Sequence, residues 1–124
     1  MKQNRPINLD LRTLHFPVMA ITSIMHRVSG IIIFILLPFM IYFLQLSLGS
    51  KESYLHMLEL LDKSFYKLIV WGFLSALVYH FMAGVRHMIA DYGYGETVEV
   101  AKKTARLLLT LTVMTTVLLG VWVW

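Results

Sequence analysis

The sequence predicts an all-α membrane protein with three transmembrane helices. Two observations point there. Of 124 residues, 58% are hydrophobic and only 15% are charged. The apolar residues are also clustered: residues 28–50, 68–85 and 107–124 contain no Asp, Glu, Lys or Arg. Each run is long enough for a helix to cross a hydrocarbon core about 30 Å thick. The same composition excludes other classes. A soluble domain of this size keeps much of its surface in water and needs polar residues to cover it. With no cysteine, the chain is not a disulfide scaffold and has no thiolate for an iron–sulfur cluster or a haem. No basic stripe with interleaved aromatics points to nucleic acid.

One transmembrane domain is expected over residues 1–124, with a cytoplasmic tail at 1–16 and spans at about 22–48, 65–90 and 105–124. The tail lacks the short apolar core and small-residue cleavage site of a signal peptide, so the first span is expected to deliver the chain to the membrane. Pro17 suits the first turn of a helix, where a missing N–H costs nothing. From there the first helix runs to about Leu48, roughly 45 Å at 1.5 Å per residue. That exceeds the hydrocarbon core, so the turns through Arg27 lie at the interface. Gly49–Ser50 ends the helix. Residues 51–64 form an outer connection with room for a short amphipathic helix.

The second helix is expected from about Ser64 to Ala90, with Tyr66 and Trp71 near its outer end as interfacial aromatics. Gly93-Tyr94-Gly95 reads as a turn. The third helix takes about Glu96 to Trp124, with only its latter part in lipid and Trp122 and Trp124 in the outer aromatic belt. Thr112, Thr116 and Gly120 form a small stripe that reads as a packing face.

Charge sets the orientation. Lys2, Arg5, Arg12 and Arg27 share a side with Arg86, Lys102, Lys103 and Arg106, eight of the eleven basic residues. The positive-inside rule places the N-terminus in the cytoplasm and the C-terminus outside.

Polar residues inside or beside a span carry the functional information, because burying them is costly. His80 lies near the middle of the second span. Gly72, Ala76, His80 and Gly84 recur at four-residue spacing, which puts small neighbours above and below the imidazole. Two readings follow: a helix–helix packing face with a hydrogen-bonded histidine, or an axial ligand to haem iron. At the cytoplasmic end of the first span, Ser23, His26, Arg27 and Gly30 fall on one face. Arg27 is either a snorkelling interfacial arginine or, with Ser23, part of a site for a carboxylate or a ketone oxygen. Arg86, His87 and Asp91 end the second span. They read as an interfacial charge cluster with a His87–Asp91 pair one turn apart. His87 is seven residues from His80, about 10 Å along the same face, near the iron-to-propionate reach of a haem standing edge-on.

Two segments are distinctive. One is Ser23-Ile24-Met25-His26-Arg27-Val28-Ser29-Gly30, preceded by Arg5-Pro6-Ile7 and Leu11. The other is His80-Phe81-Met82-Ala83-Gly84-Val85-Arg86-His87, followed by Asp91-Tyr92-Gly93. Over the whole chain this resembles the cytochrome b subunit of succinate dehydrogenase (succinate–quinone oxidoreductase, complex II). The resemblance implies haem b with His80 as one axial ligand, and a helical bundle and haem shared with a second small anchor subunit. It implies a ubiquinone site to which Ser23 and Arg27 contribute. It also implies that His26 and Arg27 approach the haem propionates, with His87 a further residue in that role. The partners implied are a flavoprotein, an iron–sulfur subunit and the second anchor, in a bacterial inner membrane. The competing expectations are an anchor of a quinol–fumarate reductase and a structural anchor without haem.

Overall fold

The computed structural model describes residues 16–95 and 97–124. Residues 1–15 of the tail expected at 1–16, and Glu96 as the expected first residue of the third helix, lie outside the described residues. The chain forms four helices: α1 (Val18–Gly49), α2 (Lys51–Leu61), α3 (Ser64–Asp91) and α4 (Val98–Val123). Helices α1, α3 and α4 are long and apolar enough to cross a membrane. α2 is the short helix expected in the outer connection. Among the described residues there is no β-strand.

Pro17 sits one residue before its expected place. It is the N-cap of α1, with φ −62° and ψ 150°, and its carbonyl accepts from the N–H groups of Ala20 and Ile21. α1 then continues for 32 residues, about 48 Å, through Pro38. The corner into α2 is tight. Ser50 N–H donates to Ser53 Oγ at 2.8 Å, and Ser53 N–H donates to Ser50 Oγ at 3.1 Å. This reciprocal cap satisfies two donors that a helix start would otherwise leave free. A side chain at Gly49 would meet Ser53 Oγ at 2.9 Å, so the corner needs glycine. At the other end Gly93 and Gly95 have φ of 84° and 78°, a backbone region that favours glycine. The expected turn is there.

α3 packs against both α1 and α4, which meet each other over a shorter stretch. Its packed face is made of small residues. Ala76 and Ala83 on α3 and Ala105 on α4 are buried, and they let backbones approach in the way small residues do between membrane helices. Tyr79, Ala83 and Leu108 form the buried core, with Met82 and Leu109 against it. At the end of the bundle nearest α2, Phe43 of α1 meets Tyr66 of α3 edge-on at 5.8 Å. Trp71 Nε1 donates to the Thr116 carbonyl at 2.9 Å. A Cβ at Gly120 would come within 3.3 Å of the Trp71 ring nitrogen. The Thr112–Thr116–Gly120 stripe is therefore a packing face, as expected. Most of the remaining apolar surface faces outward, with Ile31, Phe34 and Ile35 of α1 all exposed. Such a surface suits lipid or another apolar helix.

Candidate functional site

Three histidines and Ser29 converge where the N-terminal half of α1 packs against the C-terminal half of α3. His80, His26 and His87 stack into a three-ring column. The His80 and His26 ring centres are 4.2 Å apart with the planes 22° from parallel. His26 and His87 are 5.2 Å apart at 21°. Glycines make room for the column. A Cβ at Gly30 would lie 3.2 Å from His80 Cε1, and one at Gly84 would lie 3.5 Å from His26 Nε2. The small-residue stripe of α3 therefore lies against α1, with Gly72 facing Leu36.

The interval of about 10 Å between His80 and His87 is near the iron-to-propionate reach expected of a haem standing edge-on. In the fold the His26 ring stands between the two.

The hydrogen bonds orient the His80 ring and select its donor nitrogen. Ser29 Oγ–H donates to the His26 carbonyl at 2.7 Å. His80 Nδ1 lies 3.0 Å from Ser29 Oγ and 3.1 Å from the His26 carbonyl. The Ser29 hydrogen is already committed, so both oxygens present lone pairs to Nδ1. That nitrogen is the donor, and in the neutral imidazole Nε2 then has the lone pair. His80 is half-buried, and its Nε2 makes no hydrogen bond among the described residues. His87 Nδ1 lies 2.7 Å from the Ala83 carbonyl of its own helix, which assigns the hydrogen there as well. His26 Nε2 is buried and has no partner among the described residues. Leaving such an atom unpaired costs about 1–3 kcal/mol.

Ser23 and Arg27 lie one turn apart on the same face of α1. Ser23 is half-buried and Arg27 exposed. Among the described residues no hydrogen bond or ion pair joins either to the imidazole column. Arg86 turns to α4, where Nε donates to Thr104 Oγ1 at 3.2 Å and Nη2 to the Ala101 carbonyl at 3.1 Å. The expected His87–Asp91 pair is not formed: His87 bonds to Ala83 and Asp91 is exposed.

Two residues were not assigned a role from sequence. Ser29 lies in the distinctive segment and follows His26 by three positions, so it shares that face. A hydroxyl in an uncharged run was the available signal. Tyr79 is buried, and its hydroxyl donates to the Thr22 carbonyl at 2.7 Å. Sequence carries no signal for that contact beyond adjacency to His80.

Chemically, His80 offers one imidazole nitrogen held from behind, not a chelate. Among the described residues no group of three or more His, Cys, Asp or Glu could hold a metal ion. A monodentate ligand of this kind suits an iron whose other positions are filled by a macrocycle. His80 fits that use, since a ligating histidine almost always donates its second N–H to a carbonyl or similar acceptor.

These features define a class: a three-span helical membrane protein with stacked histidines between its first and last-but-one helices. Comparison with known proteins narrows it. Residues 1–119 match the family described as succinate dehydrogenase/fumarate reductase transmembrane subunit. The succinate dehydrogenase cytochrome b556 subunit of Coxiella burnetii is 42% identical over 125 residues, covering 100% of both chains. That of Paracoccus denitrificans is 31% identical over 115 residues, 93% of this chain and 88% of its own. A cytochrome b560 subunit from Marchantia polymorpha is 36% identical over 100 residues, 76% of this chain and 72% of its own. The chain belongs to the succinate dehydrogenase/fumarate reductase transmembrane subunit family, and so to an oxidoreductase complex seated in a membrane.

Proposed function

We propose that this chain is the haem b-bearing membrane anchor of a succinate–ubiquinone oxidoreductase. The observation that supports the haem reading is the hydrogen-bonded seat of His80, whose Nδ1–H is held by two oxygens of α1 while Nε2 keeps its lone pair. His80 would hold the iron. His26, Arg27 and His87 would face the propionates, and the orphaned Nε2 of His26 fits a need for an external acceptor or donor. When bound, haem b supplies a one-electron store beside the quinone site.

Quinone reduction takes up two electrons and two protons, and negative charge develops on the ring oxygens. Donors fixed toward those oxygens stabilise it. In this reading the Ser23 hydroxyl donates to one quinone carbonyl, and the Arg27 guanidinium, which always carries its charge, stabilises the same oxygen. The site is completed by an iron–sulfur subunit and a second small anchor. A flavoprotein subunit oxidises succinate. The membrane is a bacterial inner membrane, with the N-terminus cytoplasmic and the C-terminus periplasmic. The distribution of basic residues supports this orientation, because it puts Ser23 and Arg27 on the side where soluble subunits deliver electrons.

The decisive experiment is a reduced-minus-oxidised visible spectrum of the purified complex, with His80→Leu as the comparison. A b-type band that is lost or altered in His80→Leu is expected. A complex that transfers electrons to quinone with no b-type band would overturn the haem reading and leave a bare anchor.

A further inference from the structure

We propose that Ser29 is a positioning residue for the iron ligand: it holds His80 in the Nδ1–H form and sets the donor strength of Nε2. The proposal rests on the reading of His80 as a haem ligand.

Three facts carry it. Ser29 is buried at 4% exposure, near the start of the charge-free run of α1, where an unpaired hydroxyl is costly. Its single hydrogen goes to the His26 carbonyl at 2.7 Å, which leaves its oxygen as an acceptor only. That oxygen lies 3.0 Å from His80 Nδ1, across the interface between α1 and α3. The hydroxyl is thus a relay. It ties the α1 backbone at His26 to the α3 imidazole, and its direction of donation forces the hydrogen of His80 onto Nδ1. The glycine next to it adds the steric half of the seat, since a Cβ at Gly30 would touch the ring at Cε1.

A hydrogen bond accepted from the far nitrogen of a ligating imidazole raises the basicity of the ligating one. A stronger donor favours the more highly charged ferric iron. Removing the Ser29 oxygen leaves only the His26 carbonyl as acceptor, weakens the ligand and shifts the iron toward the ferrous form. Among the described residues no other side chain does this: His26 stacks on His80 but contributes only its carbonyl to the bond.

The test is a redox titration of haem in the full detergent-solubilised complex, comparing wild type with Ser29→Ala and Ser29→Thr. Ser29→Ala with full haem content is expected to shift the ferrous/ferric ratio at fixed potential about threefold toward ferrous. That is a rise in midpoint of about 30 mV at 59 mV per tenfold for one electron. Ser29→Thr keeps the hydroxyl and is expected to return the wild-type value. An Ala variant with full haem and an unchanged midpoint overturns the proposal. If Ser29→Ala does not assemble, Ser29→Cys replaces it: the thiol is a weak acceptor of similar size, a partial rise is expected, and an unchanged midpoint again overturns the proposal. A wild-type complex without haem b would instead overturn the ligand reading, and that outcome is visible before any variant is made.

Discussion

Tyr79 of α3 donates its phenolic hydrogen to the main-chain carbonyl of Thr22 on α1 at 2.7 Å, with both residues buried. The next residue of α1 is Ser23, and the next of α3 is His80. One hydrogen bond therefore joins the two turns that carry the proposed quinone and haem residues. Tyr79→Phe keeps the ring and loses the bond. Hydrogen bonds between membrane helices average about 0.6 kcal/mol, and a buried carbonyl left without a partner adds to that. A loss of about 1 kcal/mol is expected, measured as a lower temperature of haem release from the complex. An unchanged release temperature would show that the bond contributes nothing.

The glycines flanking the imidazole column separate two degrees of crowding. At Gly30 a Cβ would stand 3.2 Å from His80, tight enough that the ring must shift by a few tenths of an ångström. At Gly84 it would stand 3.5 Å from His26, an ordinary contact. Gly30→Ala is expected to broaden or move the haem α-band and Gly84→Ala to leave it in place, although both changes favour the helix by about 1 kcal/mol. Identical spectra for the two variants would count against the tight seat.

Gly120 and Trp71 hold α3 to α4 at the far end of the bundle. Gly120→Val drives a side chain into the indole, which a Cβ alone would approach to 3.3 Å, and it disturbs the bond to Thr116. Overpacking of this kind typically costs about 1–3 kcal/mol. The complex is expected to unfold at lower temperature with an unshifted haem band, because the column involves neither α4 nor Trp71. A shifted band would mean that α4 reaches the haem seat.

Ser23→Ala and Arg27→Leu are expected to lower quinone reduction by about 10-fold or more, the equivalent of one hydrogen bond to a charged or charging group. Succinate oxidation by a soluble dye should persist. Arg27→Lys keeps the charge but not the forked donor geometry, so partial recovery is expected. Equal loss with quinone and with dye would indicate failed assembly instead of a damaged quinone site.

Orientation is open to a direct measurement because the chain has no cysteine of its own. A single thiol placed at exposed Lys103, after the turn of Gly93 and Gly95, should react with a membrane-impermeant maleimide only from the cytoplasmic face. One placed at exposed Lys51 should react only from the opposite face. The reverse pattern would invert the topology.

The long helices were legible in sequence because their signal is local. Three charge-free runs, a proline before Val18 and glycines at 93 and 95 mark where backbone can and cannot lie in lipid. His80 was legible for a related reason: a lone ionisable group among apolar residues announces itself. The roles of Ser29 and Tyr79 were not, because they depend on how α1 is rotated and slid against α3. That register is a property of two helices together. The spacing between His80 and His87 was legible, but one helix alone gives no hint that His26 of another stands between them. Asp91 likewise lies at the right spacing for His87, but the ring finds a nearer acceptor in the Ala83 carbonyl.

All three stacked imidazoles, Ser29, Gly30 and Gly84 belong to α1 and α3, and α4 adds nothing to the column. The order of synthesis then matters. Once the ribosome has passed Asp91, every group in the His80 seat has been made, before the last helix exists. A chain stopped before Val98 would lack one wall of its bundle yet carry a full set of the groups that hold His80. Loss of the final helix and loss of the ligand are therefore separable injuries, and truncations between the turn and Val98 would fail first in packing.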